Sequence, residues 1–105
     1  MRLSKREHPE ARDELRNAAI WYDDEQPGLG EDFYAAIDEA IQHALDWPRS
    51  APLLPGWEDT PQVRSMRVLV FPYRVFYYLT DTSIVILAYS HQKRRPGYWR
   101  HRLDS

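Results

Sequence analysis

"VRSMRVLVFPYRVFYYLTDTSIVILAYSH", residues 63–91, decides the fold. Within it "VRSMRVLVF", "YRVFYYL" and "SIVILAYSH" are dense in Val, Ile, Phe and Tyr, which suit a pleated, half-buried surface. "TDTS" links the last two as a hairpin. Side chains alternate along a strand, which assigns each to a face. Met66, Val68 and Val70 share one side, as do Tyr73, Val75, Tyr77 and Leu79, with Arg74, Phe76 and Tyr78 opposite the latter set. Val85, Leu87, Tyr89 and His91 form one row of the last strand, and Ile84, Ile86 and Ala88 the other. One sheet face can be buried by helices. The other still carries aromatic and basic groups and reads as a binding surface.

Upstream of the strands lie two helical patterns. Pro9 fits a first helical turn, where its missing N–H costs nothing. Ala11, Leu15, Ala18, Ala19 and Tyr22 then recur at helical spacing. Pro27, Gly28 and Gly30 punctuate a turn. Phe33, Ile37, Ala40, Ile41 and Ala44 line a second helix, with Glu31, Asp38, Glu39 and Asp46 off that line. It should stop near Trp47, because Pro48 disfavours helical geometry in the residue before it. The short connection makes the pair an antiparallel hairpin. Residues 48–62 hold four of the eight prolines and read as an extended loop, with Leu53, Leu54 and Trp57 pinning it to the body. Helices followed by antiparallel strands predict an α+β sandwich with the helical hairpin on one sheet face. The short "MRLSKR" gives little support of its own for a first strand.

At 105 residues the chain is read as a single domain over 1–105, able to bury about two thirds of its unfolded surface in one compact core. No apolar run reaches the roughly 20 residues that span a bilayer, and the N-terminus lacks the apolar stretch of a secretory signal. Without cysteine, disulfides, thiolate metal sites and thiol catalysis are excluded. These features point to a cytoplasmic protein with no membrane partner. The formal net charge of −2 conceals a division. Residues 1–60 hold 6 Lys/Arg against 14 Asp/Glu, and residues 61–105 hold 8 against 2. Either the basic half meets an anionic partner, or the two halves chiefly attract each other.

The basic residues concentrate in the last strands and in "AYSHQKRRPGYWRHR", residues 88–102. Arg64, Arg67, Arg74, Arg94 and Arg95, with Lys93, His91 and Tyr98, make up the set. Arginine recognises phosphate in a planar, bidentate way, and aromatic rings stack on unpaired bases. Such a set could also cut RNA without a metal, given a base for the 2′-hydroxyl, cations for the phosphorane and an acid for the leaving oxygen. His91 titrates near neutrality and fits either proton-transfer role; Tyr98 could take part with help from nearby cations. Each has an ordinary structural alternative. Arg74 could pair with a helix carboxylate such as Asp38. Arg64 and Arg67 could be plain surface charges, and His91 a structural histidine. Tyr98 and Trp99 could pack the tail on the sheet, and Asp23, Asp24 and Glu25 could be a solvated helix end. His8, His43 and His101 are scattered, without the spacing of a metal site.

"EARDELRNAAIWYDDEQPGLGEDFYAAIDEAI", "FPYRVFYY" and "AYSHQKRRPGYW" resemble, in combination, the RelE/ParE superfamily of toxins from bacterial type II toxin–antitoxin modules, also labelled plasmid stabilisation proteins. The resemblance covers nearly the whole chain. It implies an N-terminal edge strand at "MRLSKR", then the helical hairpin, then a mainly antiparallel C-terminal sheet. It also implies a cognate antitoxin whose disordered segment folds on the toxin. RelE-like members cut mRNA on the ribosome without a metal or cofactor. By that resemblance Arg74 and Arg94 would stabilise phosphate charge and His91 and Tyr98 would transfer protons, while Arg64, Arg67, Lys93 and Arg95 would anchor RNA. A ribosome-dependent mRNA endonuclease that inhibits translation is therefore the first expectation. ParE-like members instead inhibit DNA gyrase without a catalytic set, and a non-toxic member that only binds antitoxin is the third expectation. Glu31, Asp32, Asp38 and Glu39 stand on the helix that is lysine-rich in the archetypal nucleases.

Overall fold

The computed structural model describes residues 2–104. Met1, at the head of the expected edge strand, and Ser105, at the end of the expected domain, lie outside the described residues. Among the described residues the elements run β1 (Ser4–Glu7), α1 (Pro9–Glu25), α2 (Leu29–Asp46), β2 (Arg64–Arg67), β3 (Tyr73–Leu79), β4 (Ser83–His91) and a 3-10 helix (Arg100–Asp104). They form one four-stranded sheet in the order β1-β4-β3-β2, antiparallel throughout β2-β3-β4. The N-terminal strand is indeed an edge strand, added parallel to β4 with Glu7 opposite Ile86. The architecture is the expected α+β one.

Local chemistry explains the helix ends. His8 precedes α1, its ring Nδ1 accepts the Glu10 N–H at 3.1 Å, and Pro9 takes the first helical position. Gly28 (φ +91°) supplies the left-handed residue that lets the chain reverse into α2. Gly30 is needed for space. Its N–H donates to Asp23 Oδ1 at 2.7 Å, and a Cβ there would stand 2.6 Å from the Ala19 carbonyl oxygen. Asp23, read above as a solvated helix end, therefore caps α2. The hairpin lays Ala11, Ala18 and Ala19 of α1 and Phe33, Ile37, Ile41 and Ala44 of α2 against Met66, Val68, Val75, Tyr77, Ile84, Ile86 and Tyr89. Small residues on α1 let the two helices approach closely, and the larger residues of α2 fill the space above the sheet.

Three face assignments change. β2 stops at Arg67, earlier than the apolar run suggested, because the chain bends over 68–72 to enter β3. Val70 takes φ +75° there and is 97% exposed, so it does not share a side with Met66 and Val68. Secondly, the β3–β4 register shifts between Phe76 and Tyr77, so that Phe76 opposes Ala88 and Tyr77 opposes Ile86. Leu87 is the extra residue of this bulge. Strict alternation fails across it. Ile84, Ile86, Tyr89 and His91 oppose the helix-facing residues of β3, whereas Leu87 and Ala88 lie in the core on the other face. Thirdly, that other face is not open. Trp99 and Leu103 of the tail and Leu54 and Trp57 of the loop cover Val63, Phe76, Tyr78, Leu87 and Ala88. Leu53, expected to pin the loop, keeps an exposed side chain and joins only through a backbone bridge to Arg64.

Overpacking a close helix–helix approach costs about 1–3 kcal/mol. Gly30→Ala should lower unfolding free energy by about that amount in urea titration, whereas Gly56→Ala, with open space around its Cβ direction, should act only through its positive φ.

Candidate functional site

The layer of tail and loop leaves a cleft of about 430 Å³ on its face of the sheet. The tail is placed by backbone bonds: Gln92 N–H donates to Pro72 O at 2.9 Å and Arg94 N–H to His91 O at 2.9 Å. Gly97 (φ +76°) turns the chain so that Trp99 plunges into the second core, where it is 1% exposed. On the facing wall the Trp57 indole N–H donates to Pro61 O at 2.9 Å, fixing that ring. Arg74 enters from β3, His91 from the end of β4, and Arg94, Arg95 and Arg100 from the tail; Trp57, Phe76 and Trp99 supply apolar lining.

Charge is sorted around this cleft. Glu14 of α1 accepts from Arg102 Nη1 at 2.8 Å and Nη2 at 3.1 Å, from the Tyr98 hydroxyl at 2.5 Å and from the Tyr89 N–H at 3.1 Å. Glu10 meets His101 at 3.0 Å, and this hydrogen bond holds the Glu10 carboxyl below its usual range. The attraction between the acidic and basic halves is thus real, but it is spent on the end of the tail. Among the described residues no carboxylate lies within 4 Å of a nitrogen of Arg67, Arg74, Lys93, Arg94, Arg95 or Arg100.

The residues singled out from sequence divide accordingly. Arg74, His91, Arg94 and Arg95 come together in the cleft. Arg74 does not reach Asp38; it faces away from the helices and donates to Ser65 Oγ at 3.1 Å. Arg67 stands directly across from Arg74 on β2 but does not line the cleft. Arg64 points elsewhere and donates to the Arg49 and Ala51 carbonyls at 3.0 and 2.7 Å, tying down the loop. Lys93 is exposed outside the cleft. Tyr98 lines a smaller cleft on the helix side with Trp21 and Tyr73, and the Arg94 guanidinium lies 3.9 Å from its ring centre. His91 and Arg94 border both clefts. Sequence reading missed Arg100, whose guanidinium lies 5.1 Å from the Trp57 ring, and Glu14. "PGYWR" was the available signal for Arg100, because a glycine turn before a buried tryptophan sets where the next side chain emerges.

The proton chemistry follows from these partners. Burial, then the bond to Glu14, pushes the Tyr98 phenol up to about 12. Tyr89, buried and donating to Glu7 Oε2 at 2.6 Å, is raised as well. The Lys93 N–H donates into His91 Nδ1 at 3.1 Å, so the neutral ring carries its proton on Nε2. Among the described residues no cluster of three or more His, Cys, Asp or Glu could hold a metal, and no helix is long and apolar enough to cross a membrane.

Two outcomes are expected. Breaking a largely buried ion pair by removing one partner costs about 3–5 kcal/mol, so Glu14→Ala should be strongly destabilising in denaturant titration. A phenol whose folded value exceeds its unfolded value keeps its stabilisation below the unfolded value of 10 and loses it as pH rises towards 12. The thermal midpoint should therefore fall across that alkaline window, and Tyr98→Phe should make the fall shallower.

No curated protein sequence matches this chain. A solved structure, described as the chromosomal ParDE TA system from P. aeruginosa, superposes with a TM-score of 0.70 at 17% identity, covering 85% of this chain and 95% of that one; the likeness is one of fold. Residues 6–96 match the family model described as ParE toxin of type II toxin–antitoxin system, parDE. With the match running from the first strand to the middle of the tail, the chain belongs to the ParE toxin family of type II toxin–antitoxin systems.

Proposed function

We propose that this toxin acts by binding a protein target, DNA gyrase, through the basic cleft and tail, as ParE-like members do, and that it does not cut RNA. The observation that carries the reading is the state of the two proton-transfer candidates. Tyr98 donates to Glu14 and holds its proton to about pH 12. His91 is bonded at Nδ1 and protonated at Nε2 when neutral. Tyr98 stands as a donor and the Nδ1 lone pair of His91 is engaged, so neither candidate is set up as a base for a 2′-hydroxyl. The acidic face of α2 also suits a protein target better than ribosomal RNA. The family's two-component organisation supports a cognate antitoxin as the partner that restrains the toxin, and a gyrase target puts its action in the cytoplasm.

The mRNA endonuclease remains the second reading, on one observation: Arg74, His91, Arg94 and Arg95 line a single cleft. In that reading the arginines neutralise the phosphorane, and His91 serves as the acid after taking a proton from solvent on Nδ1 and releasing the Lys93 N–H. Tyr98 would have to leave Glu14 and lose its proton to serve as base.

Induced expression without antitoxin separates the two. Growth arrest with intact transcripts, gyrase trapped on DNA and inhibited supercoiling in a purified assay is the expected result. Arg94→Ala should weaken that inhibition about tenfold, the scale of an interface hot spot. Transcripts cut within codons, with supercoiling untouched, would overturn the binding reading. Unimpaired growth would leave antitoxin binding as the function.

A further inference from the structure

The cleft's own chemistry narrows what it can hold. Its rim carries Arg74, Arg94, Arg95 and Arg100 without carboxylate partners among the described residues. Arg67 and Arg74 sit directly opposite each other on neighbouring strands. Like charges in that relation destabilise a sheet, so folding gains nothing from the pair and an external anion would. The rings beside these cations are already engaged. Arg94 lies 3.9 Å from the Tyr98 ring centre, Arg100 lies 5.1 Å from that of Trp57, and Trp57 packs on Trp99 at 5.3 Å. An unpaired base needs an open ring face to stack on. The cleft instead offers guanidinium edges around an apolar floor whose accessible surface comes from Phe76 and the edge of Trp57, with Trp99 buried against both. The molecule contains its own example of the match: the other end of the basic tail is held by carboxylates of α1, with Arg102 and Tyr98 both on Glu14.

We infer that the cleft is a docking site for an acidic peptide segment bearing one bulky apolar side chain, with its carboxylates on Arg74, Arg94, Arg95 and Arg100 and its apolar group on the floor formed by Phe76 and the edge of Trp57. The inference deepens the binding reading above by giving the chemistry of the segment bound.

The test is fluorescence anisotropy of the full chain with a labelled, Asp/Glu-rich peptide carrying a central tryptophan. Binding should weaken as salt rises, since rim charges are screened. Replacing the peptide's tryptophan by serine, or making Arg94→Ala/Arg95→Ala in the protein, should each weaken it about tenfold. Both arginines are exposed, so the fold should survive; a thermal melt checks this, and Arg95→Glu serves as the second variant. No binding by the acidic peptide overturns the inference. So does equal binding of a Lys-for-acid version, or tighter binding of a single-stranded RNA or DNA oligonucleotide that the same substitutions abolish. If the double variant loses the peptide yet still inhibits gyrase, the docking chemistry stands and the assignment of the cleft as the gyrase-binding surface fails.

Discussion

Glu14 joins three parts of the chain that are far apart in sequence. Past Glu7 the first strand turns into α1, and the edge of β4 beyond Ile86 loses its neighbour. The Tyr89 N–H donates to Glu14, and the Leu87 carbonyl accepts from Arg102 at 2.9 Å. A bidentate ion pair thus stands in for the missing end of a strand. Buried backbone groups left unmade would be costly, and so would either charge alone. One carboxylate thereby fixes where α1 sits, how β4 ends and where the tail runs. The second core under Trp99 and the cleft beside it depend on that placement.

The same economy explains the charge distribution. An acidic half and a basic half in one chain could simply neutralise each other. Here the carboxylates of α1 that meet the tail, Glu10 and Glu14, engage its distal part, at Arg102, Tyr98 and His101. The proximal tail, Lys93 to Arg95, is exposed, and among the described residues it has no carboxylate within 4 Å. Geometry rather than net charge decides which cations are available, and the formal −2 gives no hint of it.

Much of this was readable from the sequence, and the unread parts share a cause. Helical spacing located Phe33, Ile37, Ile41 and Ala44 correctly, because those contacts are set by local periodicity. The strands were found for the same reason; the eight residues grouped by charge and chemistry were not separable in this way, and of them Arg74, His91, Arg94 and Arg95 come together in the cleft. Periodicity cannot see a change of phase. The bulge at Leu87 and the bend at Val70 each break alternation without an unusual residue to announce it, since both are ordinary β-formers. The capture of Tyr98 by Glu14 spans 84 positions of sequence, the covering of the second face also joins separate segments, and a single chain read on its own carries no trace of such pairings.

The bulge has one more implication. His91 stays opposite Tyr73, on the helix-facing side, because the additional residue at Leu87 absorbs the odd spacing between Ile86 and Tyr89. The side taken by the imidazole is set by its pairing with β3, not by counting along β4 from Ser83. A relative one residue shorter here and free of the bulge would keep the ring where it is. One of equal length whose β4 alternated strictly would turn it to the opposite side.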